Sequence, residues 1–292
     1  MNKKEKQTIG VIGVGLLGSS ICFRLREADY PVIGFDSRSE QLDYLVHIGG
    51  QVGSSVKELV SQAKVILLSL PDSTVSSSVC EQIAKCATAG TVVIDTTTGT
   101  PDDAVEIATN LGRQKIQFMD ATVAGSSSQV KAGEGVFMVG GDTEHFQQQQ
   151  ALLKQLSNVI FHVGPVGSGA RLKLIVNLAI GLHRAVLAES LALAEASGVD
   201  LPTALQVLKA TPAYSAAMDT KGEKMIQQDF SPQARLRQHR KDVRLIRQLA
   251  AQNEQSLPLS DIHAKLLDVA INAGLGELDN SAIYQVLRDN LS

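Results

Sequence analysis

The feature that most constrains the fold is a change of pattern near residue 163. Before it, short apolar runs alternate with amphipathic segments of helical period, and after it only helical patterns continue. Runs that are apolar almost throughout indicate strands covered on both faces, as in a mostly parallel sheet built from βαβ units. The sequence therefore predicts an α/β domain over residues 1–163 and an all-α domain over residues 164–292, with strands at 8–13, 31–36, 64–71, 91–97, 117–123 and 136–141.

Three glycines between the first predicted strand and the first predicted helix have GxGxxG spacing. Gly13 permits a tight turn, Gly15 lets a pyrophosphate approach the backbone, and Gly18 allows the helix to pack on the strand. The pyrophosphate then contacts the exposed N–H groups of the helix start, where the helix dipole favours anions. Asp36 ends the second predicted strand and is placed to bond the ribose hydroxyls. This context predicts a Rossmann-type dinucleotide-binding domain.

The residues after the second strand bear on the choice between NAD and NADP. The carboxylate of Asp36 repels a 2′-phosphate, whereas the guanidinium of Arg38 is able to pair with one. The pattern favours NAD but leaves NADP open.

Composition excludes several classes of partner and site. With 27 Lys and Arg against 30 Asp and Glu, the formal net charge is −3, so neither nucleic acid nor a membrane surface is an expected partner. No apolar run approaches the roughly 20 residues that span a bilayer. The three cysteines form no CxxC pair and no two histidines have HxxxH spacing, so no metal site is expected and a reduced, cytoplasmic setting fits best.

Ordered motifs along nearly the whole chain resemble those of the β-hydroxyacid dehydrogenase family, of the 3-hydroxyisobutyrate dehydrogenase and tartronate semialdehyde reductase type. GVIGVGLLGSSI is similar to the family's cofactor motif, LSLPDSTV to its LPxxxxV loop and DTTTGTP to its DxSTxxP segment. DATVAGSSSQVKAGEG is similar to the substrate motif, GSGARLKLIVN to the catalytic helix GxGxxxKxxNN and RKDVRLI to the KDL segment of the second domain.

This resemblance implies a role for particular side chains. Lys173 would be the catalytic lysine, and Asn177 would hold the substrate. Thr98 and Lys241 would contact the cofactor near its reactive end, and Pro71 and its neighbours would border the adenosine. The residues expected to bind the cofactor are Gly13, Gly15, Leu16, Leu17, Gly18, Asp36, Ser37, Arg38, Leu70, Pro71, Thr98 and Lys241.

Two departures from the family motifs affect the predicted substrate pocket at Ala124, Gly125, Ser126 and Asn177. The family's substrate-binding serine is Ala124 here, and the paired asparagines of the helix are Val176 and Asn177. A lost hydroxyl removes a hydrogen bond worth about 1.5–3 kcal/mol when the acceptor is charged. Backbone N–H groups of Gly125 and Ser126, or the Ser126 hydroxyl, are the available replacements.

The pairing of Lys173 with Asn177 has a chemical interpretation of its own. The two side chains stand one helical turn apart on one face of an apolar helix. Hydride transfer to or from a nicotinamide requires a proton to move on or off the substrate oxygen, and desolvation tunes a lysine for that work. The alternative is a lysine that extends to solvent and an amide that bonds a neighbouring helix.

Basic residues between Arg235 and Arg247 suggest a solvated helix face more strongly than a nucleic-acid site, because no aromatic residues interleave with them. In that run, His239 either lines the pocket or is exposed, and a lone histidine among basic residues is more often exposed. Arg184 lies near the Lys173 face but further along the helix, and an ion pair at a domain or subunit interface is the expected role.

The sequence thus predicts an NAD(P)-dependent dehydrogenase or reductase of small 3-hydroxy acids or semialdehydes, with Lys173 as general acid and base. Two rivals remain open: a related reductase of a carbonyl or imine without a carboxylate, which Ala124 motivates, and a non-catalytic dinucleotide-binding protein. The long apolar helix predicted over 169–197 suggests a homodimer or homotetramer.

Overall fold

Eight strands form one sheet in the computed structural model, which describes residues 6–291. The six predicted strands are confirmed, each within a few residues of its predicted bounds. Two further strands that were not predicted, Gln51–Val52 and Val159–Gly164, lie at the two edges of the sheet. The strands are β1 Ile9–Ile12, β2 Val32–Phe35, β3 Gln51–Val52, β4 Val65–Leu68, β5 Val92–Asp95, β6 Gln117–Ala124, β7 Val136–Gly140 and β8 Val159–Gly164.

The sheet has the order β3-β2-β1-β4-β5-β6-β7-β8. All neighbouring strands are parallel except β6 and β7, which run antiparallel. The mostly parallel sheet is therefore confirmed. The chain reverses its direction of travel across the sheet between β1 and β4, and ligands of such sheets bind in the crevice at that switch point.

Helices cover both faces of this sheet, which explains why its strands are apolar almost throughout. Val11 and Ile94 pack in one buried cluster, and Ile12 and Val93 in the cluster on the opposite face. Each such aliphatic side chain contributes about 1.5–3 kcal/mol when fully buried. The helices of this half are α1 Leu16–Glu27, α2 Asp43–His47, α3 Val56–Gln62, α4 Ser73–Cys86, α5 Pro101–Gly112, α6 Ser127–Lys131 and α7 Thr143–Leu156.

Helix α8, Ser168–Ala196, begins after β8, and the chain divides within it into two compact units, Met1–Lys173 and Leu174–Ser292. The second unit is helical, as predicted, around a core that includes Leu187, Leu205 and Leu267. Its further helices are α9 Leu201–Ala210, α10 Ala216–Ile226, α11 Leu236–Gln252, α12 Pro258–Asn272 and α13 Ile283–Arg288.

Helix α8 is long and apolar enough to cross a bilayer by length and composition. The expectation that no apolar run has that length is wrong for this helix. The core helix of a water-soluble protein passes the same test, and α8 carries the buried residues Arg184, Leu187 and Leu191 on the side that faces its own unit.

Candidate active site

The loop between β1 and α1 has the geometry of a dinucleotide cradle. Gly13 has φ +88°, and a Cβ there would lie 2.2 Å from the carbonyl oxygen of Ser69. A Cβ on Gly18 would lie 1.9 Å from the carbonyl oxygen of Gly13, so only glycine lets α1 approach the turn. A Cβ on Gly15 would meet no heavy atom within 4 Å. Open space therefore remains above the backbone at Gly15, where the motif predicts the pyrophosphate.

The start of α1 presents backbone donors to that space. Gly15 occupies the N-cap position, and among the described residues no side chain caps the helix there. Leu16 is 75% exposed and Leu17 packs partly against the core, so the loop carries no polar side chain that would compete with an anion. Uncapped N–H groups and the helix dipole together favour a bound phosphate.

Asp36 lies where β2 ends and contacts the glycine loop. One carboxylate oxygen accepts a hydrogen bond from the Val14 N–H at 2.8 Å, and the other accepts from the Arg38 N–H at 3.0 Å. The Asp36 side chain is only 9% exposed, whereas that of Arg38 is 62% exposed. The carboxylate is thus held beside the cradle, while Ser37 and the Arg38 guanidinium lie at the surface.

The loops after β4 and β5 complete the same edge of the sheet. The Leu70 N–H donates to Thr97 Oγ1 at 3.0 Å, which ties the two loops together. Pro71 is exposed beyond β4, and Thr98 is half-buried beyond β5. Parallel strands bring these carboxyl ends to one edge, so the first unit groups the predicted cofactor residues that precede Lys173.

The predicted substrate loop follows β6, and its Ser126 is already engaged. The Ser126 N–H donates to Gln129 Oε1 at 2.8 Å, and the Ser126 hydroxyl accepts from the Gln129 N–H at 3.2 Å. These two bonds form a capping box at the start of α6. Ala124 is half-buried and Gly125 is exposed with φ +135°. The Ser126 N–H was one of the donors predicted to replace the missing serine hydroxyl. It already donates to Gln129 within the loop.

Asp120 anchors the first turn of α8 to β6, a role that the sequence pattern does not reveal. Its carboxylate accepts from the Gly167 N–H at 2.8 Å and from the Ala170 N–H at 2.7 Å. Thr122 lies two residues after Asp120 on β6, and its hydroxyl donates to the Gly169 carbonyl at 2.9 Å. The helix that carries Lys173 thus starts from fixed contacts with the sheet.

Two buried acids lie side by side at this point. Asp95 pairs with Asp120 across β5 and β6, and both line a small cavity together with Thr97 and Ala170. Burial raises the pKa of Asp120 to about 6, and the backbone N–H groups that it accepts from oppose this shift. Burial also raises the pKa of Asp95, against hydrogen bonds from Thr97. An acid within the apolar run QFMDATV is the only sequence signal of this arrangement.

Lys173 and Asn177 both lie on α8, and both are half-buried. The Asn177 Nδ2 group donates to a carboxylate oxygen of Asp242 at 3.0 Å, which links α8 to α11 within the second unit. Asp242 is 8% exposed and follows Lys241 in the predicted cofactor segment. Asp242 is a site residue that was not predicted, although its place beside Lys241 in the RKDVRLI segment was a signal.

One expectation for the second unit is wrong. His239 is 6% exposed, not solvated, because it lies on the same face of α11 as the buried Leu236, Val243 and Ile246. Arg184 is 5% exposed, and its expected ion pair at a domain or subunit interface stays a prediction. Three other basic side chains of α11 form surface ion pairs, as expected for a solvated face: Arg237 with Glu277, Arg240 with Asp268 and Arg247 with Asp261.

The residues present fit a nicotinamide dinucleotide. The open space at Gly15, the uncapped start of α1 and the fixed carboxylate of Asp36 are features that would hold the pyrophosphate and ribose of such a cofactor. Two family models match the chain. Residues 8–164 match the NAD binding domain of 6-phosphogluconate dehydrogenase, and residues 167–287 match the NAD-binding domain of NADP-dependent 3-hydroxyisobutyrate dehydrogenase.

Relatives of known activity align with nearly the whole chain. It is 27% identical to the 2-(hydroxymethyl)glutarate dehydrogenase of Eubacterium barkeri, over 95% of this chain and 94% of that protein. It is 27% identical to glyoxylate/succinic semialdehyde reductase 1 of Arabidopsis thaliana, over 96% of this chain and 98% of that protein. The structure of Mycobacterium tuberculosis 3-hydroxyisobutyrate dehydrogenase with L-serine is 26% identical, with a TM-score of 0.89 over 97% of this chain and 99% of that one. The chain therefore belongs to the β-hydroxyacid dehydrogenase family of NAD(P)-dependent oxidoreductases.

Proposed function

We propose that this protein interconverts a small 3-hydroxy acid and its semialdehyde, with Lys173 as general acid and base. The cofactor supplies or accepts the hydride at the substrate carbon. In the reductive direction the Lys173 ammonium gives a proton to the carbonyl oxygen, and in the oxidative direction its neutral amine takes the hydroxyl proton. Asn177, one turn further along the helix, would bond the substrate without adding charge.

One observation carries this proposal: the first turn of α8 is fixed beside the loop after β5. Ala170, in that turn, lines the same cavity as Thr97 and Thr100. Thr98 lies between those two threonines and is the predicted neighbour of the reactive end of the cofactor. Lys173 comes less than one helical turn after Ala170. The Lys173 side chain therefore begins close to the predicted position of the reactive end of the cofactor.

The test is turnover of a Lys173→Ala variant on a cofactor-coupled panel of 3-hydroxy acids and semialdehydes. Loss of a general acid and base lowers kcat by roughly 10²- to 10⁴-fold. Arg171→Ala is the matched control, since Arg171 is exposed on the same helix. Full turnover by Lys173→Ala would end the proposal. Tight cofactor binding by the wild type with no turnover on the panel would favour the non-catalytic alternative.

We propose NAD as the preferred cofactor. The Asp36 carboxylate is held by two backbone N–H groups and has little freedom to move away from an incoming 2′-phosphate. Repulsion between two fixed negative charges disfavours NADP. The exposed Arg38 guanidinium is the feature that opposes this preference.

A substrate without a carboxylate is the second candidate, and the engagement of Ser126 favours it. Ala124 has no hydroxyl, and the Ser126 N–H donates to Gln129 in the capping box. A carboxylate bound there would have fewer donors than the family motif provides. Non-acidic aldehydes and imines therefore belong on the same panel, and faster turnover of these than of semialdehydes would select this alternative.

We propose that residues 1–163 bind the cofactor, and that residues 164–292 contribute to substrate binding and dimerisation. Exposed apolar side chains on α8 support a contact with a second copy of the chain: Ile175, Ile180, Val186 and Leu193. A homodimer or homotetramer would bury them, and light scattering after gel filtration would test this.

A cytoplasmic location is proposed because Cys22, Cys80 and Cys86 are all free thiols.

A further inference from the structure

The loop after β5 is fixed to the loop after β4 on both sides of Thr98. On one side, the Leu70 N–H donates to Thr97 Oγ1 at 3.0 Å. On the other side, Gly99 is buried against Ser73, because a Cβ on Gly99 would lie only 2.5 Å from the Ser73 Cβ. Thr98 therefore belongs to a short segment whose residues on either side both rest on the neighbouring loop.

A hydrogen bond between two helix starts closes this arrangement. The hydroxyl of Ser73, the first residue of α4, donates to the carboxylate of Asp103 in the first turn of α5. Asp103 is itself held to the loop after β5, since its N–H donates at 3.1 Å to Oγ1 of Thr100, the N-cap of α5. Ser73 thus lies against Gly99 and bonds the helix turn that follows it.

This hydrogen bond is not part of either helix cap. Asp72 caps α4 by accepting from the Val75 N–H at 3.0 Å, and the Thr100 hydroxyl caps α5. The side chains of Ser73 and Asp103 are both half-buried and bond each other across the two helices. Their bond therefore limits how far the loop after β5 can move away from α4.

The same loop borders the first turn of α8. Gly99 and Thr100 line a small cavity together with Ser73 and with Ala170, which belongs to that turn. A movement of the loop away from Ser73 would therefore change the position of Thr98 relative to the start of α8.

The two loops are expected to border different parts of the cofactor. Pro71 and its neighbours, after β4, are predicted to border the adenosine, and Thr98, after β5, to contact the cofactor near its reactive end. Hydride transfer depends on exact placement of the ring, because a misplacement of about 1 Å can lower a rate by about 10²-fold. A bond that ties the two loops together therefore acts on the reactive end without touching it.

We propose that Ser73 and Asp103 are positioning residues, whose hydrogen bond holds Thr98 against the nicotinamide end of the bound cofactor. The contact of Thr98 with that end rests on the proposed function, whereas the tie between the two loops does not.

The first experiment compares the affinity for NADH with that for ADP-ribose, which lacks the nicotinamide ring, by isothermal titration calorimetry. We expect Ser73→Ala and Asp103→Ala each to raise the Kd for NADH at least fivefold and to leave the Kd for ADP-ribose within twofold of the wild type. Asp103→Asn should stay within twofold for both ligands, because its carboxamide oxygen still accepts from Ser73. Ser78→Ala, at an exposed position of α4, is the control for loss of a hydroxyl.

The double variant tests whether both side chains act through one bond. Ser73→Ala combined with Asp103→Ala should bind NADH no more weakly than either single variant. Circular dichroism reports folding, and Ser73→Ala carries the test alone if Asp103→Ala fails to fold. Equal weakening of NADH and ADP-ribose, or an unchanged affinity for NADH in folded Ser73→Ala, would overturn the proposal.

Turnover on the best semialdehyde of the panel supplies the second readout. At saturating NADH we expect Ser73→Ala to lower kcat at least fivefold and to leave KM for the semialdehyde within threefold, because the ring and not the substrate is displaced. A loss confined to KM for the semialdehyde would contradict the proposal. If NADH binding responds as expected but the wild type turns over nothing on the panel, the tie between the loops stands and the proposed function fails.

Discussion

The carboxylate of Asp120 accepts a hydrogen bond from the Ala170 N–H at 2.7 Å, and this contact joins β6 to the helix that carries Lys173. The acid also accepts from the Gly167 N–H, so it engages two backbone donors at the start of α8 from inside the sheet. Hydrogen bonds to a buried acid of the sheet leave the first turn of α8 little freedom to slide or tilt. The backbone position of Lys173 is restrained in the same way.

Replacing Asp120 with Asn is therefore expected to be costly. The carboxamide has one acceptor oxygen, so its amino group must face one of the two N–H donors. We expect a loss of about 1–3 kcal/mol in the free energy of unfolding, because a buried donor is left unsatisfied. Urea unfolding measures this. Asp142→Asn is the matched control, since Asp142 caps α7 at the surface and Asn caps about as well as Asp. Equal stability of the two variants would contradict the anchoring role.

The stability of the second unit is expected to depend on pH through His263. Burial lowers the pKa of His263 to about 4 in the folded protein, against about 6.5 in an unfolded chain. Between these values the unfolded chain binds a proton that the folded protein does not, so stability falls as the pH falls from 6.5 towards 4. The slope from this one group is about 1.4 kcal/mol per pH unit.

His263→Gln should remove that slope, measured as the free energy of unfolding in urea at several pH values from 4.5 to 6.5. Asp120 works in the opposite direction, because its raised pKa of about 6 favours the folded state as pH falls. The comparison must therefore be made between the variant and the wild type, not within one profile. His47→Gln, at an exposed position, is the control for loss of an imidazole. A variant slope equal to that of the wild type would refute the burial argument.

The glycine loop separates a folding requirement from a binding requirement. A Cβ on Gly18 would overlap the Gly13 carbonyl, whereas a Cβ on Gly15 would meet nothing within 4 Å. We expect Gly18→Ala to lower the melting temperature strongly. Gly15→Ala should fold normally and weaken cofactor binding at least tenfold, because its methyl group fills the space predicted for the pyrophosphate. Thermal unfolding and fluorescence titration with NADH separate the two effects, and unchanged NADH affinity in Gly15→Ala would refute the cradle.

The sequence predicted most of the fold because each central strand is a continuous apolar run between helical segments. It missed the two edge strands, β3 and β8. Both residues of β3 are exposed, and this strand pairs with β2 alone. Strand β8 is only partly buried and pairs with β7 alone. The burial of His239 had a local signal, since Leu236 and Val243 share its helix face. Asp242 had a signal in the RKDVRLI segment, but its pairing with Asn177 had none. The pairing of Asp120 with Gly167 and Ala170 had none either, because these residues are distant in sequence and only the folded chain brings them together.

The choice of cofactor is expected to depend on Asp36 and Arg38 in opposite senses. Asp36→Asn removes the negative charge with almost no change of shape, so the repulsion of a 2′-phosphate disappears while an oxygen remains for the Val14 N–H. We expect the ratio of Kd for NADPH to Kd for NADH to fall at least tenfold, which is about 1.4 kcal/mol.

Arg38→Gln should raise the same ratio, because the exposed guanidinium is the group that would pair with the phosphate. Fluorescence titration of both reduced cofactors gives the two ratios, and the expected difference should shrink at high salt as the charges are screened. A ratio that stays constant in Asp36→Asn would mean that this carboxylate does not face the adenosine ribose, and the preference for NAD would then need another source.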